Sequence, residues 1–341
     1  IEVRSGSRTL LTAAELVGRP ALGALLRGRL ELQALSIPSA TVRLQAEDLK
    51  RIARMSADNR VASIAVADLQ LALELTPQGL VEVEHGELTL SSAHDAETKF
   101  ELRTARAIWK TAAGDPRAHA NISLQGHWSR AHDHAAVSAI SGAGRLRLEA
   151  LRVADRSLAE PVTLDWQFAR GEWALEAELK SGTGTLGIHA KLTPEAITLR
   201  LRSQRVAIEQ ALDLAGYAEP ALHGTLDGET ELQGTLSPLA LAGSCKLTAR
   251  SLRVLAPSQS TTAAPHTPAP AQRSVALEIP QLTAAGDLYL DPASLRFDRV
   301  QIGLGQSRLR GNASATAFGK LDAELRSDDF NLADVGAVWN V

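Results

Sequence analysis

Apolar and polar residues alternate along most of this sequence, and no other feature constrains the fold as strongly. Between Val162 and Phe168 the apolar residues Leu164, Trp166 and Phe168 alternate with polar neighbours. Because successive side chains of a strand point to opposite faces, this alternation predicts a half-buried β-strand. Three more such stretches follow, with their apolar members at Trp173, Leu175, Ala177 and Leu179, at Leu186, Ile188, Ala190 and Leu192, and at Ile197, Leu199 and Leu201.

Short polar segments separate these stretches and supply the residues that turns require. They are Arg170-Gly171, Ser181-Gly182-Thr183-Gly184 and Thr193-Pro194-Glu195. Strands joined by such short turns form an antiparallel meander. The same alternation recurs from Leu69 to Trp128 and from Val275 to Leu325, so we expect strands roughly every 8–12 residues and an all-β fold.

Composition supports a thin, repetitive architecture and argues against several functions. Hydrophobic residues make up 45% of the 341 residues but aromatic residues only 4%, so aliphatic side chains must fill the interior. A net charge of −3 gives no basic field for nucleic acid, and we expect no nucleic-acid partner. The lone cysteine, Cys245, is in phase with Leu247 and Ala249 and is expected to be a small core residue.

Helical signals are few and short. Thr12-Ala13-Ala14-Glu15 has the form of a capping box, which predicts a helix that ends before Pro20, with a further turn through Leu25 and Leu26. Short helices are also predicted for Glu47 to Met55, Ile208 to Ala215 and Leu332 to Trp339.

Four segments follow from these patterns. Residues 1–60 are expected to form an N-terminal helix and strand segment that leads into the sheet, and 61–255 a continuous β-meander. Residues 256–274 are rich in Ala, Pro and Thr and are predicted to be a flexible loop. The sheet is then expected to continue through 275–341.

No constellation of residues points to catalysis. His127, His132, Asp133 and His134 have a spacing that could ligate a divalent ion, but a polar loop from Ser129 to Ala136 explains them without a metal. Catalytic and phosphate-binding motifs are absent from the sequence. We therefore predict a protein that is not an enzyme, with no catalytic residue, metal or cofactor. Gly142-Ala143-Gly144 is expected to form a turn, and Asp328-Asp329 to precede the last short helix.

The apolar strand face is the remaining candidate for function. A closed sandwich core would give the same alternation, whereas a long meander with an uncovered face must curl or bind an apolar ligand such as lipid acyl chains. We therefore expect an elongated, curled antiparallel sheet that forms a trough. The groove candidates are Leu164, Trp166, Phe168, Trp173, Leu175, Leu179, Leu186, Ile188, Leu192, Ile197, Leu199 and Leu201.

The segment from Leu199 to Leu252 carries a family resemblance. After a strand and a short helical stretch it reads GTLDGETELQGTLSP, and the pattern rests on Gly224, Leu226, Gly228, Leu232, Gly234, Thr235 and Pro238. This Gly/Leu pattern resembles the repeats of the AsmA-like superfamily, and of its TamB family in particular. LLRGRLELQALSIPSATVRLQ near the N-terminus and LRSDDFNLADVGAVW near the C-terminus are similar to further elements of that family. The insertion at 256–274 departs from its pattern.

The resemblance implies a fold, a location and a function. Family members form a curled sheet, the β-taco, with a hydrophobic groove and no catalytic residues. They are anchored in the inner membrane of Gram-negative bacteria, here through regions outside this sequence, and extend into the periplasm. They are thought to move phospholipid toward the outer membrane and to support outer-membrane biogenesis, with a TamA-like assembly barrel as a partner.

Two other readings stay open at this point. One is a structural β-repeat protein of the cell surface or matrix with a closed core. The other is a fragment of an outer-membrane β-barrel, although aromatic girdles are absent and many strands look too short or glycine-broken to span.

Overall fold

The computed structural model consists almost entirely of β-strands. It describes residues 2–5, 8–22, 26, 32–45, 48, 61–75, 79–92, 97–111, 113–130, 140–153, 156–158, 160–181, 183–193, 195–214, 222–236, 238–255, 275–316, 320–331 and 334. Twenty strands form a mixed, mostly antiparallel sheet, which confirms the predicted all-β class. The chain divides into two compact units, 1–177 and 178–341, and each is described in turn. No helix among the described residues has the length and apolar character needed to cross a membrane.

The first unit contains eleven complete strands and the start of a twelfth. Their bounds are β1 Glu2–Ser5, β2 Arg8–Ala13, β3 Val17–Pro20, β4 Leu32–Gln45, β5 Val61–Leu75, β6 Gly79–Ser92, β7 Glu97–Lys110, β8 Pro116–Arg130, β9 Ile140–Val153, β10 Arg156–Ser157, β11 Val162–Ala169 and β12 Glu172–Ser181. Strand β4 pairs with β2 and β3 on one side and with β5 on the other, and β4–β5 is a parallel pair. From β5 to β9 each strand is antiparallel to the next, and β9 then pairs with β10 and β11.

One face of the first unit is a continuous apolar surface because the register aligns apolar residues across strands. A single row of cross-strand partners runs through Val66, Leu88, Leu102, Leu124, Leu146 and Leu164. The buried core lies toward the N-terminal end of this face and comprises Ala13, Ile37, Ala40, Val66, Leu69 and Leu102.

The described part of the second unit is a run of antiparallel strands with a short helix after β14. Its strands are β13 Gly184–Leu192, β14 Ile197–Ala207, β15 Leu222–Leu236, β16 Leu239–Leu255, β17 Val275–Leu290, β18 Ser294–Leu304, β19 Ser307–Thr316 and β20 Lys320–Asp329. Each strand from β13 to β19 pairs with the next along the chain. Helix α1, Ile208–Leu214, follows β14 and packs against β14 and β15, as the sequence predicted.

Bulges interrupt alternate strands of the second unit and reset the phase of their side chains. Arg205, Ser251 and Arg299 lie in β14, β16 and β18 with positive φ angles of 49°, 49° and 53°. A bulge bends its strand and leaves one residue out of the ladder. Side chains satisfy two of the freed amides: Arg205 N–H donates to Asp227 Oδ1 at 2.8 Å, and Arg299 N–H donates to Asn312 Oδ1 at 3.0 Å.

Several local predictions were wrong because strand pairing overrides short sequence signals. The Thr12 capping box does not start a helix; Thr12 lies in β2 and faces Glu2 on β1 and Thr41 on β4. The segment 142–144 is not a turn but part of β9. Many strands are also longer than expected, up to the 17 residues of β16.

Other local predictions were confirmed or lie outside the described residues. Arg170-Gly171 forms the turn between β11 and β12, with φ angles of 55° and 83°. The predicted 256–274 loop lies outside the described residues. So do the helices predicted for 47–55 and 332–339, except for Asp48 and Asp334, which are helical. The boundaries at 60, 255 and 274 stay predictions.

Candidate functional site: two apolar sheet faces

The twelve predicted groove residues all lie on strands, and none of them belongs to the buried core. Leu164, Trp166 and Phe168 on β11, with Trp173 and Leu175 on β12, belong to the first unit. Eleven of the twelve are partly exposed, and Trp173 is 44% exposed. The candidates of the second unit are Leu179 on β12, Leu186, Ile188 and Leu192 on β13, and Ile197, Leu199 and Leu201 on β14.

An aromatic cluster occupies the apolar face of the first unit. Phe100 stacks on Trp128 with ring centroids 5.1 Å apart and on Trp166 at 6.0 Å. Trp173 continues the cluster, with its centroid 5.7 Å from Trp166 and 4.8 Å from Phe168. Five of the twelve aromatic residues of the chain therefore meet in one place. Rings at these separations attract one another beyond their contribution from burial.

Two glycines provide the floor on which these rings lie. Gly126 on β8 and Gly144 on β9 face each other in the row that also contains Phe100 and Trp166. A Cβ on Gly126 would lie 2.8 Å from Phe100 Cζ, and one on Gly144 would lie 2.6 Å from Trp166 Cζ2. The absence of side chains at these two positions is what lets the rings pack against the backbone.

The apolar face of the second unit is mainly aliphatic, with Phe297 beside Leu288, and its exposure differs from one side to the other. One buried cluster of this face is Leu232, Leu241 and Leu288 on β15, β16 and β17, with exposures of 5%, 6% and 9%. The cross-strand neighbours of this core on β14, Ile197 and Leu199, are only half-buried. The same holds for their partners on β13, so the face changes from sealed to partly open between β15 and β13.

A single cross-strand row crosses from the partly open to the sealed side of this face. It runs from Ala190 on β13 through Leu199 and Leu232 to Gly243 and Leu288. Leu199 and Leu232 are therefore direct neighbours that differ in their exposure.

The reverse face of the second unit is charged and laced with ion pairs. Arg200 pairs with Glu231, Arg250 with Asp227, and Arg299 with Asp287. The hydrogen bond that Arg200 donates to the Glu231 carboxylate raises the pKa of the Arg200 guanidinium. In the first unit, Arg145 donates a hydrogen bond to the Asp165 carboxylate, and this lowers the pKa of the Asp165 carboxyl. The sheet is therefore two-faced, which keeps the charged face in water and leaves the apolar face for burial or for an apolar ligand.

Residues that could carry covalent or metal chemistry are not brought together. Within the described residues no three His, Cys, Asp or Glu side chains converge as metal ligands. His127 is exposed on β8, while His132, Asp133 and His134 lie outside the described residues. Cys245 is buried, and desolvation raises the pKa of its thiol, which suits a core residue rather than a nucleophile.

Comparison with known proteins adds no relative: no family model, curated protein or solved structure matches this chain. The class that the coordinates define is an all-β protein with one apolar and one charged sheet face. Sequence patterns identified the strand faces but missed the aromatic cluster. Its members come from four strands and are up to 73 positions apart, from Phe100 to Trp173, and only the Arg-Gly turn between Phe168 and Trp173 signalled that two of them meet.

Proposed function

We propose that this chain is a non-enzymatic periplasmic bridge that carries phospholipid acyl chains on its apolar sheet face between the inner and outer membranes. The observation that carries the proposal is the incomplete burial of apolar side chains on β11 to β14. The resemblance to the AsmA-like superfamily agrees with it. Inner-membrane anchoring by regions outside this sequence, a role in outer-membrane biogenesis and an assembly-barrel partner are parts of the same proposal.

Partial exposure of aliphatic residues is what an acyl chain requires. Each methylene removed from water contributes about 0.8 kcal/mol, so a row of apolar side chains stabilises a lipid tail along its length. Because each contact is weak and the contacts repeat along the sheet, a lipid acyl chain can move from one position to the next. The stacked rings of the first unit offer a broader and stiffer apolar surface than the leucines of the second.

Photocrosslinking tests the proposal at positions that differ only in their exposure. A photoreactive amino acid is placed at Ile188 or Leu199, which are partly exposed, and at the sealed neighbour Leu232 as the matched control. A third variant carries it at Thr198 on the charged face. After irradiation in intact cells, we expect phospholipid adducts at the first two positions and none at the two controls. Corresponding variants at Leu175 and Leu186 extend the test to β12 and to a further position on β13.

Lipid analysis and transport complete the test. Mass spectrometry of solvent extracts of the purified protein should detect phospholipid, and Leu199→Glu should lower its amount while circular dichroism shows an unchanged sheet. Lipid carriage would be rejected if no partly exposed position gave phospholipid adducts, either in cells or when the purified protein is mixed with phospholipid vesicles. Such a result would favour the closed-core structural protein instead.

A further inference from the structure

The polar face of the first unit contains an open cavity of about 560 Å³, a size that small-molecule sites commonly have. Its walls come from β6, β7, β8, β9 and β11, and most of its lining side chains belong to two cross-strand rows. The first row is Ser91, Lys99, His127 and Ala143, and the second is Thr89, Glu101, Gln125, Arg145 and Asp165. Phe100 lies between the two rows on β7 and has the opposite parity, so this cavity and the aromatic cluster lie on opposite faces of the sheet.

The acidic side chains of the second row are already compensated by arginines. Arg145 donates to both carboxylate oxygens of Asp165, at 2.6 Å and 3.1 Å. Glu101 pairs with Arg103 at 2.6 Å. Neither carboxylate is therefore committed to the basic groups of the first row.

The basic side chains of the first row are not compensated in this way. Lys99 and His127 are exposed and lie directly opposite each other on β7 and β8. Within the described part of the chain neither forms a hydrogen bond or an ion pair. Glu97, the other acidic residue on this side of β7, does not line the cavity. Two basic groups directly across a strand pair do not stabilise it, whereas an anion placed between them contacts both.

The donors of the first row suit the oxygens of a phosphoryl group. The Lys99 ammonium offers a charge and three N–H donors, and the imidazole of His127 donates from at least one ring nitrogen in either protonation state. Ser91 adds a hydroxyl next to Lys99, and the small side chain of Ala143 leaves room next to His127.

The second row suits hydroxyl groups, which both donate and accept hydrogen bonds. The Thr89 hydroxyl and the Gln125 amide offer donors and acceptors, and neither side chain is hydrogen-bonded within the described residues. The Arg145–Asp165 pair closes the same row. Residues two apart on a strand are separated by about 7 Å, so a ligand that contacts both rows carries its phosphoryl group beside its hydroxyls.

We propose that this cavity binds a phosphorylated sugar. Its phosphoryl oxygens accept hydrogen bonds from Ser91, Lys99 and His127, and its hydroxyls contact Thr89, Gln125 and the Arg145–Asp165 pair. The sugar phosphate is soluble and not the headgroup of a carried lipid, because acyl chains on the apolar face would lie on the other side of the sheet. The inference therefore does not depend on lipid carriage.

Isothermal titration calorimetry of the full chain tests the proposal with glucose 6-phosphate as the probe. Glucose and inorganic phosphate are the control ligands, and each should bind at least about tenfold more weakly because it fills only one row. Lys99→Gln and His127→Gln should each weaken the binding of glucose 6-phosphate by about tenfold. Arg147→Gln removes a charge from the same face outside the cavity and should leave the affinity unchanged. All three sites are exposed, so circular dichroism should show an unchanged sheet.

Several results would overturn the proposal. They are no saturable binding of glucose 6-phosphate at millimolar concentration, equal binding of glucose, equal binding of inorganic phosphate, and unchanged affinity in both cavity variants. Vesicles that contain phosphatidylinositol distinguish a lipid source of the same chemistry. They should not displace glucose 6-phosphate, and displacement would replace the soluble ligand by a lipid headgroup.

Discussion

A pair of leucine truncations tests whether the apolar face of the second unit is sealed at one strand and open at the next. Leu199 on β14 and Leu232 on β15 are directly opposite each other in the sheet. Leu232 is 5% exposed, whereas Leu199 is half-buried. The same change, leucine to alanine, therefore removes the same atoms from two neighbouring sites that differ in their contact with solvent.

The two truncations should lower the opening free energy by different amounts, because only the sealed site leaves a closed cavity. For Leu232→Ala, the lost transfer free energy and the cavity together should cost about 2–5 kcal/mol of opening free energy. For Leu199→Ala, part of the removed surface was already solvated, and the space left by the truncation is open to solvent. The change removes three carbon atoms that are mostly buried, and at about 0.8 kcal/mol for each fully buried one we expect a cost of about 1.5 kcal/mol.

The buried thiol of Cys245 provides a local readout of these costs. It lies on β16 in the same unit, is 4% exposed and is the only thiol of the chain. Its reaction with a thiol reagent under native conditions requires local opening of the sheet. At about 1.4 kcal/mol per factor of ten, Leu232→Ala should accelerate labelling by about 30-fold or more, and Leu199→Ala by about tenfold. The exposed neighbour Gln233→Ala should leave the labelling rate unchanged.

Two results would contradict this reasoning. If both truncations accelerate labelling equally and strongly, Leu199 is sealed and the lipid-carrying face of the second unit does not exist. If neither has an effect, the core around Leu232 does not stabilise the strands next to Cys245.

Three further predictions concern the bulge, the aromatic cluster and the C-terminal contact. Asp227→Ala removes the acceptor of a bulge amide and should lower the free energy of unfolding by about 1–2 kcal/mol in urea denaturation. Gly144→Ala places a methyl group against both the Gln125 carbonyl oxygen and the Trp166 ring, so overpacking should cost about 1–3 kcal/mol and weaken the near-ultraviolet circular dichroism of the cluster. The Ser307 hydroxyl, with nearby backbone amides, lowers the pKa of Asp334 from its ordinary value of 3.8. Because this pKa is lowered in the folded chain, its stabilising contribution is complete above pH 3.8 and is lost as the pH falls through the lowered pKa. The amide chemical shift of Ser307 should follow that titration.

Each of these has a control within the chain. Asp227→Asn keeps an acceptor for the amide and should recover part of the loss. Gly187→Ala places its methyl group no nearer than 3.8 Å to any other atom and should be tolerated. Asp334→Asn should abolish the acid-dependent change at Ser307, and a titration that persists in this variant would assign it to another group.

Period-two alternation determined the strands and their two faces because the direction of a side chain along a strand is a local property. Local patterns, within a few residues of one another, were enough to predict four strands between Val162 and Ala207. They also predicted the Arg170-Gly171 turn. Helix α1 also followed, since its signals are contained within its own sequence.

Tertiary structure decided how the strands align, and with it the properties of the site. The capping box at Thr12 does not form a helix because Thr12 pairs with β1 and β4. Gly144, which was predicted to lie in a turn, is in β9 and lies under the ring of Trp166. The difference between sealed Leu232 and half-buried Leu199 depends on which residue each meets on the neighbouring strand. Such partners are set by register and bulges, which arise from contacts between segments far apart in the chain and leave no signal in the local pattern.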